Sequence, residues 1–138
     1  MKFVKISQSE IGNIRALYEG VMANASHGLF YREGMLTGSE IIKLARDEDS
    51  DLLQTATKLL VARGWAESIR FEDKKVIVSG SIEVGKADEP TCHRLRGVFK
   101  RLYEAVEHKK VVCEELQCQS NGAESCIFAV NVEEGSDE

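Results

Sequence analysis

Apolar residues recur at helical spacing near the start of the chain, at Ile11, Ile14, Leu17, Tyr18, Val21, Met22 and Ala25. That period predicts one amphipathic helix. Ser7-Gln8-Ser9-Glu10 ahead of it reads as a capping box, Ser7 as cap and Glu10 three residues on. Gly28, Gly34 and Gly38 then punctuate a stretch holding Leu29, Phe30, Tyr31 and Met35, which reads either as a broken helix or as a loop. A short helix over 39–45 follows. Ser50 is the expected cap of a third helix, with Leu52, Leu53, Ala56, Leu59 and Leu60 inward and Gly64 as its stop.

At Trp65 the period changes to two. Trp65, Ile69 and Phe71 share one side of a strand, with Glu67 breaking the alternation, and Val76, Val78, Gly80 and Ile82 form its partner across a polar turn at 72–75. Asp88-Glu89-Pro90 predicts the start of another helix, because proline is tolerated in the first turn. Its stripe runs through Leu95, Val98, Phe99, Leu102, Tyr103 and Val106. Two strands, expected over 111–116 and 125–132, close the chain around a loop with Asn121-Gly122. The order predicts an α+β fold: N-terminal helices, an antiparallel sheet of about four strands, and one long helix between the two hairpins.

The 138 residues, 43% apolar and 30% charged with one proline, suit one globular domain over 1–132. The acidic tail at 133–138 is expected to be disordered. The formal charge of −5 comes mostly from Glu133, Glu134, Asp137 and Glu138, so the body is nearly neutral. Nucleic-acid binding wants a basic face and finds none. No apolar run approaches the roughly 18 residues of a membrane span, and no apolar stretch follows the N-terminal lysines, so the expectation is a cytoplasmic protein without membrane insertion.

All four cysteines lie between Cys92 and Cys126. Cys92 falls on the same helical face as Leu95, Phe99 and Leu102, while Cys113 and Glu115 share one face of the following strand. Cys118 begins the last hairpin loop and Cys126 ends it. Cys92, Glu115, Cys118 and Cys126 can therefore converge on one point. Such a set suits zinc, which accepts Cys sulfur and carboxylate oxygen in tetrahedral geometry. The same residues also read as small buried thiols of a core.

Cys92-His93-Arg94-Leu95-Arg96-Gly97, Glu115-Leu116-Gln117-Cys118, Gly122 and Cys126-Ile127-Phe128 resemble the 4-vinyl reductase domain family, as does the upstream strand 78–83. The resemblance covers roughly residues 76–132. It implies the ligand-binding fold shared with vesicle-tethering complex subunits, usually dimeric, in domains that sense hydrocarbons or aromatic compounds or assist pigment synthesis. It also implies Cys92, Glu115, Cys118 and Cys126 as the metal ligands, with Zn2+ in a structural role. Arg101 stands where a second helix glycine is common, and Cys113 is an additional thiol.

The function expected is a zinc-containing module for an apolar or aromatic small molecule, acting as sensor or carrier through a protein partner. A pocket between sheet and last helix is expected to be touched by Phe71, Phe99 and Cys113. Leu29, Phe30, Tyr31 and Met35 are the apolar residues expected to form a homodimer. Alternatives are an accessory subunit of a reductase or other enzyme, and a scaffold subunit without ligand. The chain itself reads as a non-enzyme: it lacks a nucleotide fingerprint, and Cys92 and His93, adjacent on a helix, point about 100° apart and cannot pair as nucleophile and base. His27 is expected as a solvated loop residue, His93 as a group at the surface or behind the metal ligands, and His108 near a helix C-terminus.

Overall fold

The computed structural model describes residues 2–46 and 51–133. Ser50 and the tail beyond Glu133 lie outside them. The elements run α1 (Gln8–Met22), α2 (Ala25–Ala45), α3 (Leu52–Ala62), β1 (Ser68–Glu72), β2 (Lys75–Ser79), α4 (His93–Glu107), β3 (Val111–Gln117) and β4 (Cys126–Val132). The α+β order is the one the hydrophobic pattern predicts.

The four strands form one antiparallel sheet in the order β1-β2-β4-β3. Alternation along the strands puts Ile69, Val76, Val78, Val111, Cys113, Phe128 and Val130 on one buried face. Onto it α4 lays Leu95, Val98, Phe99 and Leu102, all fully buried. The opposite side of α4 packs against α2, and Ile41, Ile42, Ala56 and Leu60 complete the core.

Three local expectations change. The glycine-punctuated stretch is neither a loop nor a broken helix: α2 runs unbroken for 21 residues, and Gly34 and Gly38 are buried against α4. A Cβ on Gly34 would sit 1.9 Å from the Arg94 carbonyl oxygen, and one on Gly97 would sit 2.0 Å from that of Tyr31. The two backbones touch there, so the glycines mark a helix crossing. Second, α4 begins at His93, not in the Asp88-Glu89-Pro90 segment. Thr91 is held in place by the Glu83 carbonyl and the Ser120 hydroxyl, which keeps the chain out of the helix up to Cys92. Third, α1 has the predicted capping box but buries no residue, leaving Leu17 and Val21 exposed. The cap of α3 among the described residues is Asp51, which accepts from the N–H groups of Leu53 and Gln54.

Candidate metal centre

Four elements deliver the four expected ligands. Cys92 is the N-cap of α4, and Glu115 stands at the irregularity near the end of β3. Cys118 opens a 3₁₀ turn over Gln119–Asn121, and Cys126 is the first residue of β4. Their ligand atoms all lie within 4.8 Å of one another. The Cys92, Cys118 and Cys126 sulfurs are separated by 4.0, 3.8 and 3.8 Å. Disulfide sulfurs would be about 2.05 Å apart. Sulfurs at about 2.3 Å from a tetrahedral ion are about 3.8 Å apart. The spacing is that of a metal site.

Surrounding hydrogen bonds orient the donors. The Gln119 N–H points at the Cys126 sulfur at 3.3 Å and the Ser120 N–H at the Cys118 sulfur at 3.4 Å. The Cys92 thiol reaches the Ser81 hydroxyl at 3.2 Å. Glu115 Oε1 accepts the Cys92 N–H at 3.0 Å, while its Oε2 is buried with no partner. A carboxylate oxygen left bare among three sulfurs fits a cation, since an unpaired buried polar atom costs about 1–3 kcal/mol.

Electrostatics agree. Hydrogen bonds from Cys126 and Cys92 hold the Cys118 thiol far below the usual thiol range. Those same contacts push Cys92 well up, and the bond to Cys118 lifts Cys126 to about 12. Burial, then the charge of Cys118, raises Glu115 to about 8. Three thiolates and a carboxylate at one point would carry four negative charges, which a divalent ion at the centre would offset in part. The residues fit a thiophilic divalent ion, and four protein donors would leave no open position for substrate.

The other candidates fall elsewhere. Phe71 and Phe99 meet edge to face at 5.9 Å between centroids, and Phe99 meets Phe128 at 5.0 Å. Cys113 is buried in the same core, outside the ligand cluster. Arg94 is engaged by Glu33 and Glu83, and Arg96 lies over the Tyr31 ring, so both guanidiniums have partners away from the sulfurs. His27 is not a loop residue: it sits on α2, stacks on His93 at 4.1 Å and bonds Glu19 at 2.7 Å. His93 is buried, and burial, then His27, depress it to about 3. His108 is the C-cap of α4. Sequence reasoning missed Ser81, Glu83, Thr91 and Ser120, four buried polar residues around the ligands. The local pattern does not mark them: Ser81 and Glu83 fall on the polar phase of the alternation through Val78 and Ile82, and Thr91 and Ser120 stand outside any alternating run.

The site thus defines a small α+β domain built around a three-cysteine, one-carboxylate cluster able to hold a metal ion. Residues 76–132, the segment carrying all four candidate ligands, match the family model of the V4R domain. The fold is similar to the phenol-responsive sensory domain of the transcription activator PoxR, with TM-score 0.79 and 18% identity over 96% of this chain and 77% of that one. It is also similar to a vinyl-4-reductase family protein from Methanocaldococcus jannaschii, with TM-score 0.61 and 15% identity over 97% of this chain and 99% of the other. No curated protein matches the chain.

Proposed function

We propose that the chain is a cytoplasmic, zinc-containing small-molecule sensor or carrier domain that holds an apolar or aromatic ligand. The observation that carries this reading is a buried cluster of four potential metal donors set in a fold shared with a phenol-responsive sensory domain. The metal's part is structural: it ties the start of α4 to the β3–β4 hairpin, which otherwise meet through side-chain contacts. Cys92, Glu115, Cys118 and Cys126 hold it, and zinc supplies no open coordination position there. The ligand's place is the apolar layer between α4 and the sheet, where Phe71, Phe99 and Cys113 lie. These side chains pack on one another, so the ligand enters by displacing rings, and Phe99, with no exposed surface, is the first that must move.

The partner is a second copy of the chain. Leu17, Tyr18, Val21 and Met22 on α1, with Leu29 and Leu36 on α2, stay exposed, whereas Phe30 turns inward. A 15-residue helix that buries nothing is marginal in water, so α1 gains its stability by covering the equivalent face of another copy. Output then passes to a further protein.

The experiment is native mass spectrometry of the purified protein, joined to thermal shift with phenol and longer aromatic and aliphatic compounds. Expected are one zinc per chain, a dimer, and stabilisation by at least one compound that is lost in Phe99→Ala. A metal-free protein whose melt ignores chelator would leave the four residues as core thiols. Metal without any stabilising ligand would favour the scaffold reading.

A further inference from the structure

Helix N-caps favour Ser, Thr, Asp and Asn, whose side chains accept the first free N–H groups. At α4 that position belongs to Cys92, and its side chain makes no capping bond. The donors are not left bare. Glu83, in the segment after β2, places Oε1 2.9 Å from the Arg94 N–H and Oε2 3.0 Å from the Leu95 N–H. It is 4% exposed, its Oε1 lies 3.5 Å from the Arg94 guanidinium, and its carbonyl oxygen accepts the Thr91 hydroxyl at 2.8 Å. Glu115 takes the Cys92 N–H. Two carboxylates from outside the helix therefore do the work that a capping side chain does from within.

We infer that Glu83 is a positioning residue of the metal centre: by capping α4 from outside the helix it leaves the Cys92 sulfur free to face Cys118 and Cys126. This rests on the metal reading of the cluster. The physical alternative open to the helix is plain. With Glu83 removed, the first-turn N–H groups lose their acceptor, and a Cys92 sulfur turned onto its own helix, where an N-cap side chain can reach those groups, would be withdrawn from the ion. A carboxylate at this helix end also meets the positive end of the helix dipole, and ties that end of α4 to the segment after β2.

The test titrates the full chain with Co2+ in competition with a chelating dye. The thiolate-to-cobalt absorption and the visible bands of a tetrahedral centre report the geometry. Expected are wild-type tetrahedral bands, and for Glu83→Gln a fall in Co2+ affinity of about 10- to 100-fold, the usual effect of losing a residue that orients a metal ligand, with weakened charge-transfer absorption. Leu102→Ala opens a cavity at the far end of α4 and controls for lost stability: it should lower the melting temperature and leave affinity and bands at wild-type values. If Glu83→Gln does not fold, Glu83→Asp, which keeps the charge and shortens the reach, should show the same affinity loss in smaller measure. Glu83 variants that bind Co2+ like wild type, or a Leu102→Ala that loses affinity equally, would overturn the inference alone. A wild type that forms no tetrahedral cobalt complex would overturn the metal reading and the inference with it.

Discussion

One methyl group is enough to probe the contact between α2 and α4. Gly97→Ala would set its Cβ against the Tyr31 carbonyl oxygen and 2.8 Å from the Met35 nitrogen, both backbone atoms that cannot step aside. The expected cost in urea unfolding is about 3 kcal/mol, the upper range for overpacking, and Gly34→Ala should match it. Gly28, on the same helix, is the contrast, since a Cβ there would meet nothing within 4 Å. Gly28→Ala should be neutral or add about 0.5–1 kcal/mol through helix propensity. Equal effects at all three positions would mean that the crossing is looser than its geometry. The sequence shows Gly28, Gly34 and Gly38 as three equivalent breaks, because glycine's local signal is the same whether it bends a chain or admits a neighbour. The four candidate metal ligands are legible for the opposite reason. Helical and strand periods aim Cys92 and Glu115 at a common layer, and hairpin pairing alone brings Cys118 to Cys126. Glu83 stays hidden, since nothing local announces a carboxylate capping a helix ten residues further on.

Among the elements, β3 is a sheet edge, and edges invite pairing with other chains. Here side chains cover it. The Val111 N–H donates to Glu104 Oε2 at 3.1 Å, the Val111 carbonyl accepts Lys100 Nζ at 2.7 Å, and the Cys113 backbone bonds the Tyr31 hydroxyl. Burial alone would raise Glu104, but Lys100, the Val111 N–H and Arg101 together hold its carboxyl below the ordinary value of 4.5. A lowered acid pKa favours the folded state above the unfolded value and loses that contribution as pH falls through the folded one. Glu104→Gln should therefore destabilise at about pH 7, and the gap to wild type should narrow as the pH falls below the ordinary carboxylate range, read from paired urea melts. A gap independent of pH would mean that the Glu104 charge contributes nothing. Element order is readable because each amphipathic period is local. The start of α4 is not: proline permits a helix start at position 90, but contacts of Thr91 with Glu83 and Ser120 hold the chain out of the helix as far as Cys92. The stripe of α1 is apolar as its period says, yet it lies outside the core, since a period identifies a face and not what covers it.

For the molecule as a whole, the exposed stripe of α1 makes assembly state and stability one question. Leu17→Glu with Val21→Glu should give a monomer in sedimentation, and wild-type melting should rise with concentration as mass action requires. A wild type that sediments as a monomer at assay concentrations of about tens of micromolar would remove the dimer. Metal affinity should fall on acidification, because thiolates and carboxylate must shed protons to bind, and a chelator should lower the melting temperature of the entire domain. The contact of Gly34 with Arg94 has a mechanical side as well. Gly34 lies close to the middle of α2, a rod of about 31 Å, and rests on the Arg94 backbone, two residues from the N-cap Cys92. At that crossing the two backbones meet with no side chain between them to act as a cushion. A shift of the first turn of α4 should therefore be passed straight to α2, whose N-terminal end joins α1. Hydrogen exchange over 25–30 should accordingly quicken when the metal is stripped, although no metal ligand lies in that stretch; unchanged rates there would make α2 a passive strut.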